Sequence, residues 1–187
     1  IAETVDISGV AYLILQNMDK NISVVGSDHP RLEVLSLSGN LLQRVKYNIS
    51  GDTLTLSQLQ SEDIRTIKVS VFVSRMGLKG MTVNDAVAIV KGLEQKLLHI
   101  SQDAGRIYMS DNRIGRMLID ASNRSYLDIS ATDVDTLSVK IDNSEVLVSA
   151  PVGLLQGSLK NNSHLRMGDI DEIQLKRDKT SILNSYR

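Results

Sequence analysis

With 187 residues, 42% of them hydrophobic and 23% charged, the chain is long enough to bury a core and too apolar to remain disordered. A net charge of −1 lacks the basic footprint of a general nucleic-acid binder, and no apolar run approaches the roughly 18 residues of a membrane helix. Cysteine is absent, which removes disulfides and thiolate metal sites, and the 3% aromatic content implies a core of Val, Ile, Leu and Met.

Residues 1–75 read as short strands joined by turns. Residues 10–16 alternate Val10/Tyr12/Ile14 with Ala11/Leu13/Leu15, which predicts a strand buried on both faces or nearly so. Residues 22–25 and 31–37 are further apolar runs, and Ser38-Gly39-Asn40 is a turn cluster. Residues 42–47 and 53–56 flank Ile49-Ser50-Gly51-Asp52, where Gly and Asp accept the positive φ of a hairpin turn. Residues 64–73 form the strongest strand of this region, with Ile67, Val69, Val71 and Val73 on one face and Lys68, Ser70 and Phe72 on the other.

From Leu78 a repeat takes over. An apolar triplet recurs as Leu78/Met81/Val83, Ile114/Met117/Ile119, Val134/Leu137/Val139 and Ile170/Ile173/Leu175, and Leu154/Gly157/Leu159 fits with a small middle residue. Corner clusters follow: Asn84-Asp85-Ala86, Asp103-Ala104-Gly105, Asn123-Arg124-Ser125, Asp142-Asn143-Ser144 and Asn161-Asn162-Ser163. After each corner a second strand supplies two apolar rows, Ala88/Ile107/Leu127/Val146/Leu165 and Val90/Met109/Ile129/Val148/Met167. A period of about 19–20 residues in an all-β pattern predicts a β-solenoid, with strands stacked ~4.8 Å apart. Residues 85–98 also carry helical spacing, in Val87/Val90 and Leu93/Leu97, but Gly92 and the strand register favour strand. The rung near Leu98 and Ile100 is out of phase at its first position, which predicts a loop insertion at 92–96. The expected architecture is therefore all-β. One continuous domain spans 1–187: an N-terminal strand region over 1–75, packed on the same stack as β-solenoid coils over 76–187.

The order and spacing of these segments resemble the auto-transporter adhesin, head GIN domain family of Bacteroidetes-type bacteria. The likeness runs through VDISGVAYLILQ, NISVVGSD, GDTLTL and IKVSVFV, then LKGMTVNDAVAIV, IGRMLIDASN, VDTLSVKIDNSEVLV and LLQGSLKNNSHLRM. Asn84-Asp85-Ala86 stands where the family usually has Ser-Gly-Ala. The resemblance implies a β-solenoid in the cell envelope or exported from the cell. It implies no established enzymatic activity and supplies no catalytic residues.

Asp120, Asp128, Asp133, Asp135 and Asp142 are frequent in the middle coils but scatter over different slots, unlike the converging acids of a β-helix glycosidase. His29, His99 and His164 lie far apart, so neither a metal site nor a cofactor is expected. Asn123, Asn143 and Asn162 are placed to form a side-chain ladder along one corner. The outward face of the second strand is the expected contact surface. It brings Arg106, Tyr108, Tyr126, Asp128, Glu145, His164 and Arg166 onto adjacent rungs, and Tyr and Arg are common contact residues.

The sequence thus predicts a non-enzymatic, adhesin-like binding module that presents a flat face to a cell-surface glycan or protein. Self-association through exposed strands is a further expectation; nucleic acid and a membrane span are not expected. The competing readings are a pectinase-like β-helix enzyme and a purely structural envelope component. A first residue other than Met and the lack of cysteine fit an exported chain whose leader has been removed.

Overall fold

The computed structural model describes residues 1–18, 20–36, 45–59 and 67–185, which form strands and turns with no helix. The expected turn at Ser38-Gly39-Asn40 and residues 64–66 of the strongest N-terminal strand fall outside these residues. The N-terminal strands are β1 (Ala2–Asp6), β2 (Tyr12–Gln16), β3 (Asn21–Ser27), β4 (Arg31–Leu35), β5 (Val45–Ser50), β6 (Thr53–Leu59) and β7 (Lys68–Ser74). Six two-strand coils then follow in chain order. They are β8 (Gly80–Asn84) with β9 (Val87–Lys91), β10 (Glu94–Asp103) with β11 (Arg106–Ser110), and β12 (Asn112–Ser122) with β13 (Tyr126–Ile129). The last three are β14 (Thr132–Asp142) with β15 (Glu145–Val148), β16 (Val152–Lys160) with β17 (His164–Met167), and β18 (Ile170–Arg177) with β19 (Ile182–Ser185). The molecule is a β-solenoid: the first strands of the coils stack in parallel into one sheet and the second strands into another.

Two earlier coils extend the stack, but out of chain order. β2 lies between β6 and β8 and pairs in parallel with both, and β3 lies likewise between β7 and β9. The N-terminal end finishes in antiparallel strands. β4 and then β1 extend the second-strand sheet, while the β5–β6 hairpin, turning at Gly51 with φ 59, closes the other. β2 is buried on one face only: Leu13 and Leu15 enter the core, whereas Tyr12 is exposed. One apolar cluster fills the interior from Ile7 to Met167.

The second-strand rows align as the sequence predicts. Ala88, Ile107, Leu127, Val146 and Leu165 share one slot, Val90, Met109, Ile129, Val148 and Met167 the next, and all are buried. The first-strand rows do not. Met81 shares its slot with Ile100, Ile119, Val139 and Gly157, so the Leu78/Met81/Val83 triplet is shifted by two residues from the later ones. Similarly, Val152/Leu155/Gly157, rather than Leu154/Gly157/Leu159, occupies the slots of Val134/Leu137/Val139. No insertion occurs at 92–96: β10 meets β8 and β12 in continuous register, through His99↔Gly80 and Leu98↔Met117. The apparent phase break arises because buried Gln95 fills the slot of Ile114, its amide donating to the Arg75 carbonyl at 2.9 Å.

The corners work by backbone conformation and hydroxyls. Asp85, Ala104 and Asn143 are single left-handed residues, while Asn123-Arg124 and Asn161-Asn162 are left-handed pairs. Asn and Asp enter that region more readily than most side chains. Just inside this corner Ser125, Ser144, Ser163 and Ser181 are buried one above another. Each hydroxyl accepts from a backbone N–H of the preceding coil, at 3.3, 3.1, 3.4 and 3.2 Å. The expected asparagine ladder is thus replaced by a serine ladder, flanked by the amide–carboxylate bonds Asn123–Asp103 at 2.9 Å and Asn161–Asp142 at 2.8 Å. At the opposite corner, Gly92, Asp111 and Ala131 are left-handed, and Asn112 and Thr132 are buried beside them.

Candidate functional site

Parallel stacking in constant register turns a sequence period into rows of side chains, so each outward slot becomes a stripe along the solenoid. On the second-strand sheet one stripe reads Arg106, Tyr126, Glu145 and His164, and the next reads Tyr108, Asp128, Leu147 and Arg166. All seven residues expected from the sequence therefore lie together on one outward face. The Tyr108 and Tyr126 rings are 5.8 Å apart and tilted by 47°, within the range of favourable aromatic pairs. Arg166 approaches Glu145 at 3.8 Å, Asn184 meets His164 at 3.1 Å, and Asp128 accepts from the Ser130 hydroxyl. Arg106 and Arg124 have no ion pair among the described residues. They share a shallow recess at the corner with Tyr126, Glu145, Asn162 and His164.

A second surface, unmarked in the sequence reading, lies on the outward face of the first-strand sheet. A groove of about 550 Å³ crosses β10 to β18 around Gly157. Gly157 has φ +132, and a Cβ there would lie 1.8 Å from the Val139 carbonyl oxygen. The chain can make this close approach only without a side chain. The rim is polar: Gln156 donates to the Ser138 hydroxyl at 2.9 Å, and His99 Nε2 lies 3.2 Å from Asp120 Oδ2. Lys140, Ser158 and Lys176 form one stripe across it. Two strand spacings separate the lysines, about 9.6 Å, and neither makes an ion pair among the described residues. The only trace of this groove in the sequence is a glycine in an otherwise apolar slot.

Two of the acids, Asp120 and Asp142, line one recess beside this groove. Asp120 is the single carboxylate lining the Gly157 groove. The adjoining recess adds Asp142, whose carboxyl the Asn161 amide holds below its ordinary value, with Lys160 at 3.2 Å reinforcing the effect. A general acid needs the opposite shift. Among the described residues no three His, Asp or Glu side chains group closely enough to hold a metal ion.

No family model matches the chain, and no curated protein does. Solved structures do. A candidate adhesin from Bacteroides fragilis superposes with a TM-score of 0.71 at 9% identity, covering 100% of this chain and 96% of that one. A candidate adhesin from Parabacteroides merdae gives a TM-score of 0.53 at 11% identity, with the same 100% and 96% coverage. A candidate lipid-binding protein from Parabacteroides distasonis gives 0.54 at 12% identity, again covering 100% and 96%. At such identities the likeness establishes the fold: this chain is a β-solenoid of the kind seen in bacterial proteins described as candidate adhesins.

Proposed function

We propose that the chain is an exported, adhesin-like binding module of the head GIN type, and that the Tyr108/Tyr126 face contacts a cell-surface glycan or protein. The observation that carries this reading is the outward face itself. Two neighbouring tyrosines, two arginines, a histidine and two carboxylates are held at fixed spacing on rigid strands. Tyrosine offers a large, rigid, amphipathic contact area at low entropic cost, and no deep pocket is needed for recognition over several rungs. The adhesin descriptions of the superposable proteins support an exported or surface role. A polysaccharide-degrading enzyme is less well supported, because the Asn161 amide lowers the Asp142 carboxyl below its ordinary value, the opposite of what a general acid needs.

A glycan array probed with wild type and with Tyr108→Ala/Tyr126→Ala tests the reading. Loss of signal in the double variant is expected; equal signals would remove the tyrosine face as the contact surface. Lys140→Ala/Lys176→Ala distinguishes the two faces. Binding lost in that variant but kept in the tyrosine variant would move recognition to the Gly157 groove and to anionic sugars.

A further inference from the structure

We infer that two copies of this chain pair through β18, joining their first-strand sheets across a two-fold axis that passes through Gln174. Among the described residues no strand lies beyond β18, which pairs with β16 alone. The apolar row it continues is open there. Leu98, Met117, Leu137 and Leu155 are all 0% exposed, but Ile173, next in that row, is 42% exposed. An edge of this kind is a template for another strand unless its charges forbid it.

The charges of β18 favour a second copy. Its sequence, IDEIQLKR, is acidic at the start and basic at the end. In a two-fold antiparallel pair centred on Gln174, Glu172 faces Lys176 and Asp171 faces Arg177, each twice by symmetry, while Ile173 faces Leu175. Opposed charges on facing positions stabilise a strand pair and like charges destabilise it. Only a centre on a residue, rather than between two, keeps the apolar side of both strands inward. Centring on Leu175 instead sets Glu172 against Asp178, and centring on Ile173 leaves Glu172 opposite Gln174. The other edges lack this self-complementarity. Within the strands themselves, β1 has Glu3 and Asp6 but no Lys or Arg, β5 has Lys46 but no acid, and β19 has no charged residue. None of these strands sets opposed charges face to face when paired with its own copy; β18 does.

Sedimentation equilibrium on the full chain tests this. Wild type is expected at twice the 20.6 kDa chain mass, and Glu172→Lys and Lys176→Glu each at the single-chain mass. The double swap Glu172→Lys/Lys176→Glu restores both pairs and is expected to dimerise again. Both side chains are exposed in the single chain, so circular-dichroism melts of all variants should coincide under conditions where each is monomeric. A monomeric wild type would leave the edge to a different partner and overturn the proposal. So would a dimer indifferent to either single reversal, a swap that stays monomeric, or assembly beyond a dimer. The measurement contains no ligand, so its outcome is independent of the adhesion reading.

Discussion

Replacing Asn112 should unfasten the corner that the apolar pattern does not mark. Asn112 is 5% exposed, and its Oδ1 accepts the Leu93 N–H at 3.0 Å. Its amide donates to the Ser110 carbonyl at 2.9 Å and, at 3.2 Å each, to the Val90 carbonyl and the Thr132 hydroxyl. One side chain therefore ties together three successive turns of this corner, at Gly92, Asp111 and Ala131. Asn112→Ala strands a buried N–H, which costs ~1–3 kcal/mol, and forfeits amide bonds worth about 1 kcal/mol net; a total loss of about 2–4 kcal/mol is expected. Asn112→Asp preserves the shape and the acceptor for Leu93 but turns a carboxylate toward three oxygens. Burial and the facing oxygens raise the pKa of that new acid in the folded chain, against the lowering effect of the single Leu93 N–H. Its penalty is fully present above the folded pKa and is relieved as pH falls through it, because the folded state then binds the proton more tightly than the unfolded one. Urea denaturation of wild type and both variants, at neutral and at acidic pH, reads these effects. An alanine variant within about 0.5 kcal/mol of wild type would show that the corner holds without this side chain. An aspartate variant whose deficit does not shrink on acidification would refute the buried-charge argument.

Two further outcomes follow from single residues. Gly157→Ala places a Cβ against the Val139 carbonyl at φ +132, a region almost reserved for glycine, so about 1–3 kcal/mol of backbone strain is expected before the clash is added. Thermal melting reads it, and an unchanged midpoint would mean that β16 can re-form there without the close approach. Asp178, fixed chiefly by the Asn161 N–H and then by Thr180 and Ser181, is depressed from 3.8 to about 2. A depressed carboxyl contributes stability that is present above the unfolded pKa and lost as pH falls through the folded one. Asp178→Asn should therefore be less stable than wild type at neutral pH, with the gap closing between pH 3.8 and about 2; a gap constant across that window would contradict the linkage.

The second-strand rows were legible because every inward slot from Ala88 to Met167 is apolar. The Tyr/Arg face was legible for the same reason, since its adjacency depends only on the period. The first-strand phase was not. Gln95 and Gln102 fill inward slots with amides, and Gly157 leaves one nearly empty. A slip of two residues keeps every side chain on its proper face, so alternation cannot detect it. The serine ladder stands in the corner clusters at Ser125, Ser144 and Ser163, beside asparagines whose left-handed backbone gives the stronger corner signal. A hydroxyl can accept from one coil while donating to its own, as Ser125 does to the Ser122 carbonyl at 2.7 Å, and so it suits the buried position. The Gly157 groove depends on a dihedral angle and the order of the N-terminal coils on long-range pairing; neither leaves a periodic mark. Each rung offers its neighbours much the same apolar rows, so pattern alone cannot rank which coil lies beside which.

The placement of β2 and β3 between coils formed later in the chain gives the molecule an asymmetric mechanical response. In a strictly sequential winding, tension on either terminus peels the outermost coil first, because that coil has one neighbour. At the C-terminal end β18 and β19 have that exposure. At the other end the earliest complete coil is wedged, gripped by β6 and β7 on one side and by β8 and β9 on the other. Traction from that side must first strip β1 from β4, and then draw β2 out from between β6 and β8, breaking two interfaces together rather than one after another. Joining Tyr12 to Gly80 instead of to a coil neighbour about 19 residues away costs only about 1 kcal/mol more in loop-closure entropy. A small thermodynamic burden thus anchors one end of the stack against unwinding, while at the other end, in a single copy, β18 and β19 each hold to one neighbour.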